Sequence, residues 1–238
     1  MKTMRAGRPR SLAGGCCPCG ETPQGRIAAG SHSYFDLESG NRLALGFNLS
    51  KVLSMSIAAV NYPEKLVPFI EYMDGLTERP ELDELVKRMR SFDVTVEELG
   101  EYVQFHGNHY RRNMVFENEH VQLLCLCWKS GQRSPIHDHA ESICGVKVIT
   151  GVASETVYEM TPSGFIKPVS TVDYGVGVIG SQDEDTHQVA NLQRKEDDLV
   201  TLHCYAPPLK KMKTFSIDSK FAQVYEPVNE WHMGGSGI

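Results

Sequence analysis

The sequence predicts a mainly β protein of the jelly-roll class, with a short helical lead-in before the strands. From Tyr110 onward, short segments rich in β-branched and aromatic residues alternate with clusters of Gly, Pro, Asn or Asp. Before them, apolar residues recur at helical spacing. Many short strands with short connections are typical of a sandwich or barrel. We expect a single domain over 55–238, with helices at about 61–105 and a β-barrel at about 110–225.

Three short helices are expected in the lead-in. Asn61 with Glu64, and Thr95 with Glu98, have the spacing of capping boxes at helix N-termini. Pro80 stands where a middle helix can begin. Each signal precedes a run of apolar residues with helical periodicity, so we expect three helices that end near residue 105.

Five segments have the composition of β-strands. They are rich in β-branched and aromatic residues, and turn-forming residues separate most of them. The segments are 121–128, 144–150, 152–160, 175–179 and 199–205.

The bulk composition excludes several classes of protein. The chain has 238 residues, 41% of them hydrophobic and 23% charged, which is ordinary for a globular domain. The net charge of −6 does not suit a nucleic-acid partner. No apolar run reaches the roughly 18 residues of a membrane span, and the basic N-terminus lacks the apolar stretch of a secretory signal. We expect a monomeric cytoplasmic enzyme with no nucleic-acid or membrane partner.

The first 54 residues are rich in Gly, Ser and Arg and are expected to form a disordered leader. Their motif Cys16-Cys17-Pro18-Cys19 contains one CxxC pair without a second pair, which is weak evidence for either zinc binding or redox chemistry. The other cysteines lie in apolar stretches, where reduced thiols behave as small hydrophobic residues. They are Cys125, Cys127, Cys144 and Cys204.

Three histidines are the candidate metal ligands. His137 and His139 follow a turn that contains Pro135. Residues two apart on an extended strand point to the same face, so both imidazoles can reach one ion. His187 is the third candidate, and it precedes an apolar pair. The remaining histidines, His106, His109, His120 and His232, have no such spacing and are assigned no role.

Glycine spacing supports this site. Gly131 precedes the first histidine by six positions, Gly151 follows the second by twelve, and Asn191 follows His187 by four. Barrel corners need glycine, so these spacings are physically connected to the metal geometry. The pattern resembles the two motifs of the cupin superfamily, which implies a metal-binding β-barrel.

One departure from the cupin pattern indicates the chemistry. Ordinary cupins have a glutamate ligand five residues after the second histidine, where this chain has Cys144, and Glu141 comes too early to replace it. A site of three neutral imidazoles leaves the full charge of Fe(II) for added ligands. A soft, anionic thiolate is the ligand that such a site favours. The sequence therefore predicts a small thiol substrate.

Several blocks in the right order resemble the cysteine dioxygenase family. The resemblance runs from about Val60 to Phe221 and is densest over 110–208. The blocks are Tyr110-Arg111-Arg112-Asn113, then Cys125 to Trp128, then Ser134 to His139 with Cys144, then His187-Gln188-Val189, then Thr201 to Pro208. The resemblance implies that Fe(II) and O2 convert L-cysteine to cysteine sulfinic acid, with no nicotinamide or oxoglutarate.

Carried over by position, the resemblance also implies residue roles. Arg112 would clamp the substrate carboxylate, and Tyr110 would add a hydroxyl contact near it. Tyr205 would face the iron and oxygen and could be joined to Cys144 by a thioether crosslink. His203 would hydrogen-bond Tyr205 and fix its orientation.

The resemblance further places a hydroxyl at Thr201, where the family has serine, and a cis peptide bond at Ala206-Pro207.

Three alternatives stay open. A related dioxygenase of 3-mercaptopropionate would have glutamine at position 112 and commonly lacks the cysteine at 144. A zinc cupin, such as a sugar-phosphate isomerase, usually uses the missing glutamate. A non-enzymatic cupin module would sense a ligand and would have no use for Tyr205 beside His203.

Overall fold

The structure is a computed structural model, and it describes residues 60–181 and 186–231. The predicted leader with its cysteine motif lies outside the described residues, and so does His232. In the described ranges, no helix combines the length and the apolar character needed to cross a bilayer.

The three predicted helices are present. They are α1 (Val67–Asp74), α2 (Leu82–Arg90) and α3 (Val96–Leu99), with 3-10 turns at Glu64–Leu66 and Gly100–Tyr102. The capping box of α3 is confirmed, because Thr95 Oγ1 accepts from the Glu98 amide and Glu98 Oε2 accepts from the Thr95 amide at 2.9 Å. The box predicted at Asn61 is wrong. Pro63 starts that turn without a side-chain cap, and its carbonyl accepts from the Leu66 amide.

Twelve strands follow in the described residues. They are β1 (Arg111–Glu117), β2 (Gln122–Trp128), β3 (Ile136–His137), β4 (Ile143–Thr150), β5 (Ala153–Met160), β6 (Ile166–Tyr174), β7 (Gly177–Ser181), β8 (His187–Ala190), β9 (Leu199–Ala206), β10 (Met212–Phe215), β11 (Gln223–Tyr225) and β12 (Glu230–Trp231). The five predicted segments correspond to β2, β4, β5, β7 and β9.

The strands form two six-stranded sheets. The first sheet has the order β12-β1-β2-β9-β4-β7 and the second has the order β11-β10-β3-β8-β5-β6. Neighbouring strands are antiparallel except for β12, which runs parallel to β1. The predicted mainly β jelly-roll class is confirmed, although the two sheets are not closed into one continuous barrel.

The central strands β2 and β9 are buried along their whole length because both faces of the first sheet are covered. In β2, Cys125 and Cys127 pack into the cluster formed with the helices, whereas Leu126 and Trp128 pack into the cluster between the sheets. The same alternation holds in β9. It places Thr201, His203 and Tyr205 on the inner face, away from the helices.

Helix α2 is attached to the first sheet through β4. A Cβ atom on Gly145 would lie 2.5 Å from Met89 Sδ, so glycine is what allows this close approach. Beside it, the buried Lys147 donates from Nζ to the carbonyls of Met89 at 3.1 Å and Phe92 at 2.6 Å. Lysine thus satisfies carbonyls at the end of the helix that would otherwise be buried without donors.

Lys147→Met should lower the free energy of unfolding by about 1–3 kcal/mol, because it keeps most of the side-chain volume but leaves two buried carbonyls without a donor. Urea unfolding should show a lower midpoint with an unchanged m-value. Lys213→Met, at an exposed position on β10, is the control. Equal midpoints for the two variants would contradict this role of Lys147.

Candidate metal centre

The second sheet brings the three candidate histidines together. His137 on β3 is the direct cross-strand partner of His187 on β8. One ring nitrogen from each of His137, His139 and His187 lies within 4.8 Å of the other two. All three side chains are buried, and the Nε2 atoms of His139 and His187 are 3.0 Å apart.

His139 reaches the cluster by a different route from the one expected. The idea that both histidines lie on one extended strand is wrong, because β3 ends at His137. The Asp138 carboxylate accepts from the amides of Lys213 and Ala140, and Ala140 adopts a φ of 53°. A short polar side chain that bonds nearby amides favours a turn over a strand. This turn, and not strand pleating, directs the His139 imidazole.

Hydrogen bonds orient two of the imidazoles. His137 Nδ1 donates to the Pro135 carbonyl at 2.9 Å, which leaves the Nε2 lone pair for a ligand role. His187 Nδ1 lies 2.5 Å from Glu155 Oε1, which likewise leaves Nε2 facing His139. Burial holds the pKa of His137 well below its usual value, and the neighbouring His187 and His139 add to this effect. His137 is therefore neutral at physiological pH.

The donor set fits a divalent metal ion. Imidazole nitrogens bound at about 2.1 Å on neighbouring corners of a coordination shell stand about 3 Å apart, which matches the 3.0 Å between His139 and His187. Two nitrogen lone pairs at that distance repel each other unless a proton or a cation lies between them. Neutral imidazoles suit iron and zinc among the biological metals.

Glu155 is a site residue that the sequence reasoning missed. It lies on β5, which pairs with β8. Its carboxylate contacts the outer nitrogen of His187, so a negative charge does border the site even though none of the three clustered residues is a carboxylate. Such partners fix the tautomer of a ligand histidine and raise its basicity.

Glu155→Ala should weaken metal binding by roughly 10- to 100-fold, because His187 loses the acceptor that holds its Nδ1 proton. Glu155→Gln keeps an acceptor without the charge, so its loss should be smaller. The measurement is a metal titration against a chelator of known affinity. Glu159→Gln, exposed on the same strand, is the control, and equal affinities for all three variants would refute the role.

The first sheet supplies a hydrogen-bonded row opposite the histidines. The Tyr205 hydroxyl lies 3.2 Å from His203 Nδ1, and His203 Nε2 lies 3.0 Å from Thr201 Oγ1. Trp128 Nε1 donates to the same Thr201 oxygen at 3.1 Å. Burial, with the nearby Arg112 charge, keeps the pKa of His203 well below its usual value. His203 is therefore neutral and carries one ring proton.

Cys144 is beside this row. In the β4–β9 ladder it is the direct partner of Tyr205, so the two side chains share one face of the sheet. Cys144 Sγ is 4.0 Å from His203 Nδ1. Burial raises the pKa of the Cys144 thiol and of the Tyr205 phenol well above their usual values, so both groups are protonated at neutral pH.

Arg112 provides the positive charge of the site. It extends from β1, is 6% exposed, and lies with its guanidinium carbon 5.6 Å from the centre of the Tyr205 ring. Nε donates to Asn229 Oδ1 at 2.8 Å. Nη2 is buried and has no hydrogen-bond acceptor among the described residues. A buried guanidinium with a free donor is suited to an anionic group, such as a carboxylate, from a ligand.

The metal end and the Arg112 end belong to one cavity. It is lined by Tyr110, Arg112, Leu126, Trp128, Ser134, His137, His187, Val189, His203 and Tyr205. Six of the eight predicted site residues are in that lining, while His139 completes the histidine cluster and Cys144 lies behind Tyr205. Tyr110 stacks on Trp128 with a 4.1 Å separation of ring centres. His106 and His109, to which no role is assigned, stack on each other outside the cluster.

The fold and the site define a jelly-roll protein with a candidate three-histidine metal centre. The sequence model of one family, described as cysteine dioxygenase type I, matches residues 55–218. Because this match covers more than half of the chain, the protein belongs to the cysteine dioxygenase type I family.

Two relatives with similar sequences agree with this assignment. The chain is 28% identical over 173 residues to cysteine dioxygenase type 1 of Danio rerio, covering 68% of this chain and 84% of that protein. It is 28% identical over 165 residues to cysteine dioxygenase type 1 of Homo sapiens, covering 64% and 80%. A solved double-stranded β-helix protein of Klebsiella pneumoniae has a TM-score of 0.39 at 17% identity, covering 49% of this chain and 92% of that chain.

Proposed function

We propose that the protein oxidises L-cysteine with O2 to cysteine sulfinic acid at an Fe(II) ion held by His137, His139 and His187. The observation that carries this proposal is the cavity itself. At one end it meets the three-histidine cluster, of which His137 and His187 line it, and at the other end it is lined by Arg112, whose Nη2 has no acceptor among the described residues. A small molecule with a soft anionic group and a carboxylate fits both ends. L-cysteine is such a molecule, and family membership supports it.

The overall conversion balances without another reactant. A thiolate and O2 combine to a sulfinate, with both oxygen atoms on sulfur and the single negative charge retained. The thiol proton leaves when the substrate binds. Sulfur supplies all four electrons that reduce O2, so no external reductant is consumed. Iron, when bound, would supply the redox chemistry that joins thiolate and O2, and no side chain in the cavity can replace it.

The side chains position the reactants. Arg112 holds the carboxylate through a charge-assisted pair, which fixes the sulfur with respect to the histidine cluster. No member of that cluster is a carboxylate, so a substrate thiolate would balance part of the charge of a metal ion held by the three histidines. Glu155 orients His187 from behind and stays outside the cavity lining.

The hydrogen bond with His203 fixes the direction of the Tyr205 hydroxyl. If Thr201 accepts from Trp128 and donates to His203 Nε2, the single proton of His203 is on Nδ1 and donates to the phenol oxygen. The phenol hydrogen is then free to donate into the cavity that Tyr205 lines, where it would hydrogen-bond an oxygen atom of a bound reactant. Cys144 is the direct partner of Tyr205 on the adjacent strand. We propose that a thioether bond forms between them, in which the S–H bond and one ring C–H bond are broken and O2 takes up the two electrons and two protons.

The protein is further proposed to act as a monomer in the cytoplasm. Four cysteines of the described ranges are buried free thiols, namely Cys125, Cys127, Cys144 and Cys204. Unpaired thiols are typical of proteins in reducing compartments.

Oxygen uptake by the iron-loaded full chain tests the function. We expect thiol-dependent O2 consumption and one sulfinate per O2. The kcat/KM for L-cysteine should be at least about 10-fold above that for 3-mercaptopropionate, because Arg112 and Cys144 stand where dioxygenases of 3-mercaptopropionate have glutamine and commonly lack the cysteine. A preference for 3-mercaptopropionate would overturn the proposal that L-cysteine is the substrate, but the proposal of a thiol dioxygenase would stand. Bound zinc without thiol-dependent O2 uptake would favour an isomerase instead.

A further inference from the structure

The segment 225–231, which we name the C-terminal strap, closes the outer side of Arg112. It begins at the end of β11 and includes β12, which pairs in parallel with β1 at Asn113 and Glu230. The Glu230 carboxylate accepts from Arg111 Nη2 at 2.7 Å. The strap is therefore attached to β1 by main-chain pairing and by an ion pair at the position next to Arg112.

Asn229 of the strap makes the contact that bears on the site. Its Oδ1 accepts from Arg112 Nε at 2.8 Å, and Arg112 Nη2 stays without an acceptor in the described residues. A guanidinium is planar and rigid, so fixing Nε on one side fixes where both terminal nitrogens lie. Arg112 lines the metal cavity, so with Nε bonded to the strap its Nη2, which has no acceptor among the described residues, remains available to a carboxylate bound there.

The amide of Asn229 is chemically suited to this task. It accepts a hydrogen bond without adding charge, so the guanidinium keeps its whole positive charge for a ligand. A carboxylate in its place would hold Nε equally well and would neutralise the same cation. Arg111, whose charge faces away, is the neighbour that pairs with a carboxylate, that of Glu230.

A second cavity shows that the strap is the outer wall of the site. This cavity of about 260 Å³ lies between the strap and β1. Tyr110 and Arg112 line both it and the metal cavity, while Tyr225, Val228 and Glu230 line it from the strap. Arg112 is therefore held between the strap on one side and the metal cavity on the other.

We propose that Asn229 is a positioning residue for carboxylate recognition, acting through Arg112 and making the enzyme select thiols that have a carboxylate. This inference rests on the proposed function. Asn229 is not in the lining of the metal cavity and reaches it only through Arg112. It sets the direction of Arg112, so its loss should appear in the binding of the carboxylate and not in the oxidation step.

Kinetics with two thiols test the role. In the iron-loaded full chain, Asn229→Ala should raise KM for L-cysteine about 10-fold, a factor typical of losing one buried hydrogen bond to a charged group, with kcat within about 3-fold. The KM for cysteamine, which lacks the carboxylate, should not change. Glu226→Ala, at an exposed strap position that pairs with Lys211, controls for general loosening of the strap.

Asn229→Asp keeps the acceptor and adds the charge, so it separates positioning from charge. It should also raise KM for L-cysteine only, while the Arg112 Nε–H should stay protected from hydrogen exchange in an NMR spectrum. In Asn229→Ala that signal, identified by its absence from Arg112→Lys, should exchange quickly. If the Asn229→Ala variant fails to fold, the Asn229→Asp variant still tests the role of Asn229.

The outcomes separate the two proposals. A wild-type chain that oxidises no thiol overturns the proposed function and the inference that rests on it. A wild-type chain that oxidises L-cysteine, together with an Asn229→Ala variant whose KM ratio between the two thiols is unchanged, overturns only the positioning role. A rise in KM for both thiols also overturns it, because the strap would then act on the cavity as a whole.

Discussion

Arg112→Gln is expected to reduce kcat/KM for L-cysteine by about 100- to 1000-fold, most of it through KM. The guanidinium is buried and its Nη2 has no other acceptor among the described residues, so a bound carboxylate would lose its only charged partner in the cavity lining. Removing one member of a buried charged pair costs about 3–4 kcal/mol, in the range measured for such pairs. The measurement is initial-rate O2 uptake with L-cysteine over a wide concentration range.

Two comparisons make the Arg112 result specific. Arg133→Gln removes an exposed arginine and should leave both kinetic constants unchanged. Cysteamine should be oxidised by Arg112→Gln and by the wild type with similar kcat/KM, since it has no carboxylate to lose. An equal loss for both thiols would mean that Arg112 acts on the cavity as a whole and does not clamp a carboxylate.

The relative positions of residues within one short segment could be predicted from the sequence, because covalent geometry fixes how neighbouring residues in a strand are arranged. Thr201, His203 and Tyr205 alternate along β9, so their common face follows from the two-residue period of a strand. The pair of Cys144 and Tyr205 was proposed from a resemblance, and the β4–β9 register places them as direct partners. The helical lead-in and the jelly-roll class likewise followed from patterns in local segments.

Side-chain contacts that depend on strand register could not be predicted from the sequence. Glu155 touches His187 only because β5 pairs with β8, and Asn229 reaches Arg112 only because β12 pairs with β1. Nothing local in a glutamate on a polar strand, or in an asparagine after a proline and a valine, indicates such a contact. Register is set by the packing of both sheets, which one sequence does not display.

Some strands were missed for a related reason. β6 is exposed along most of its length and contains Pro168, so it lacks the apolar pattern of a strand. It exists because it forms a long hairpin with β5. β3 has only two residues, and the Asp138 side chain turns the chain immediately after His137. In these places, tertiary contacts determine the backbone more than composition does.

His187→Ala is expected to bring bound iron from about one ion per chain to below about 0.1, and O2 uptake to background, because a metal held by three protein ligands loses one of them. His187 is the informative histidine, since it is also the one oriented by Glu155. If it acts as a ligand, metal affinity should fall in the order wild type, Glu155→Gln, Glu155→Ala, His187→Ala.

His120→Ala is the matched control, because His120 lies outside the histidine cluster and contacts the exposed Glu119. It should keep full iron content and activity. If His187 stabilised the fold without binding the metal, the variants would give a different result. The metal-free His187→Ala protein would unfold at a clearly lower urea concentration than metal-free wild type, and metal affinity would not follow the graded order of the Glu155 variants. Retention of iron by His187→Ala would remove it from the ligand set.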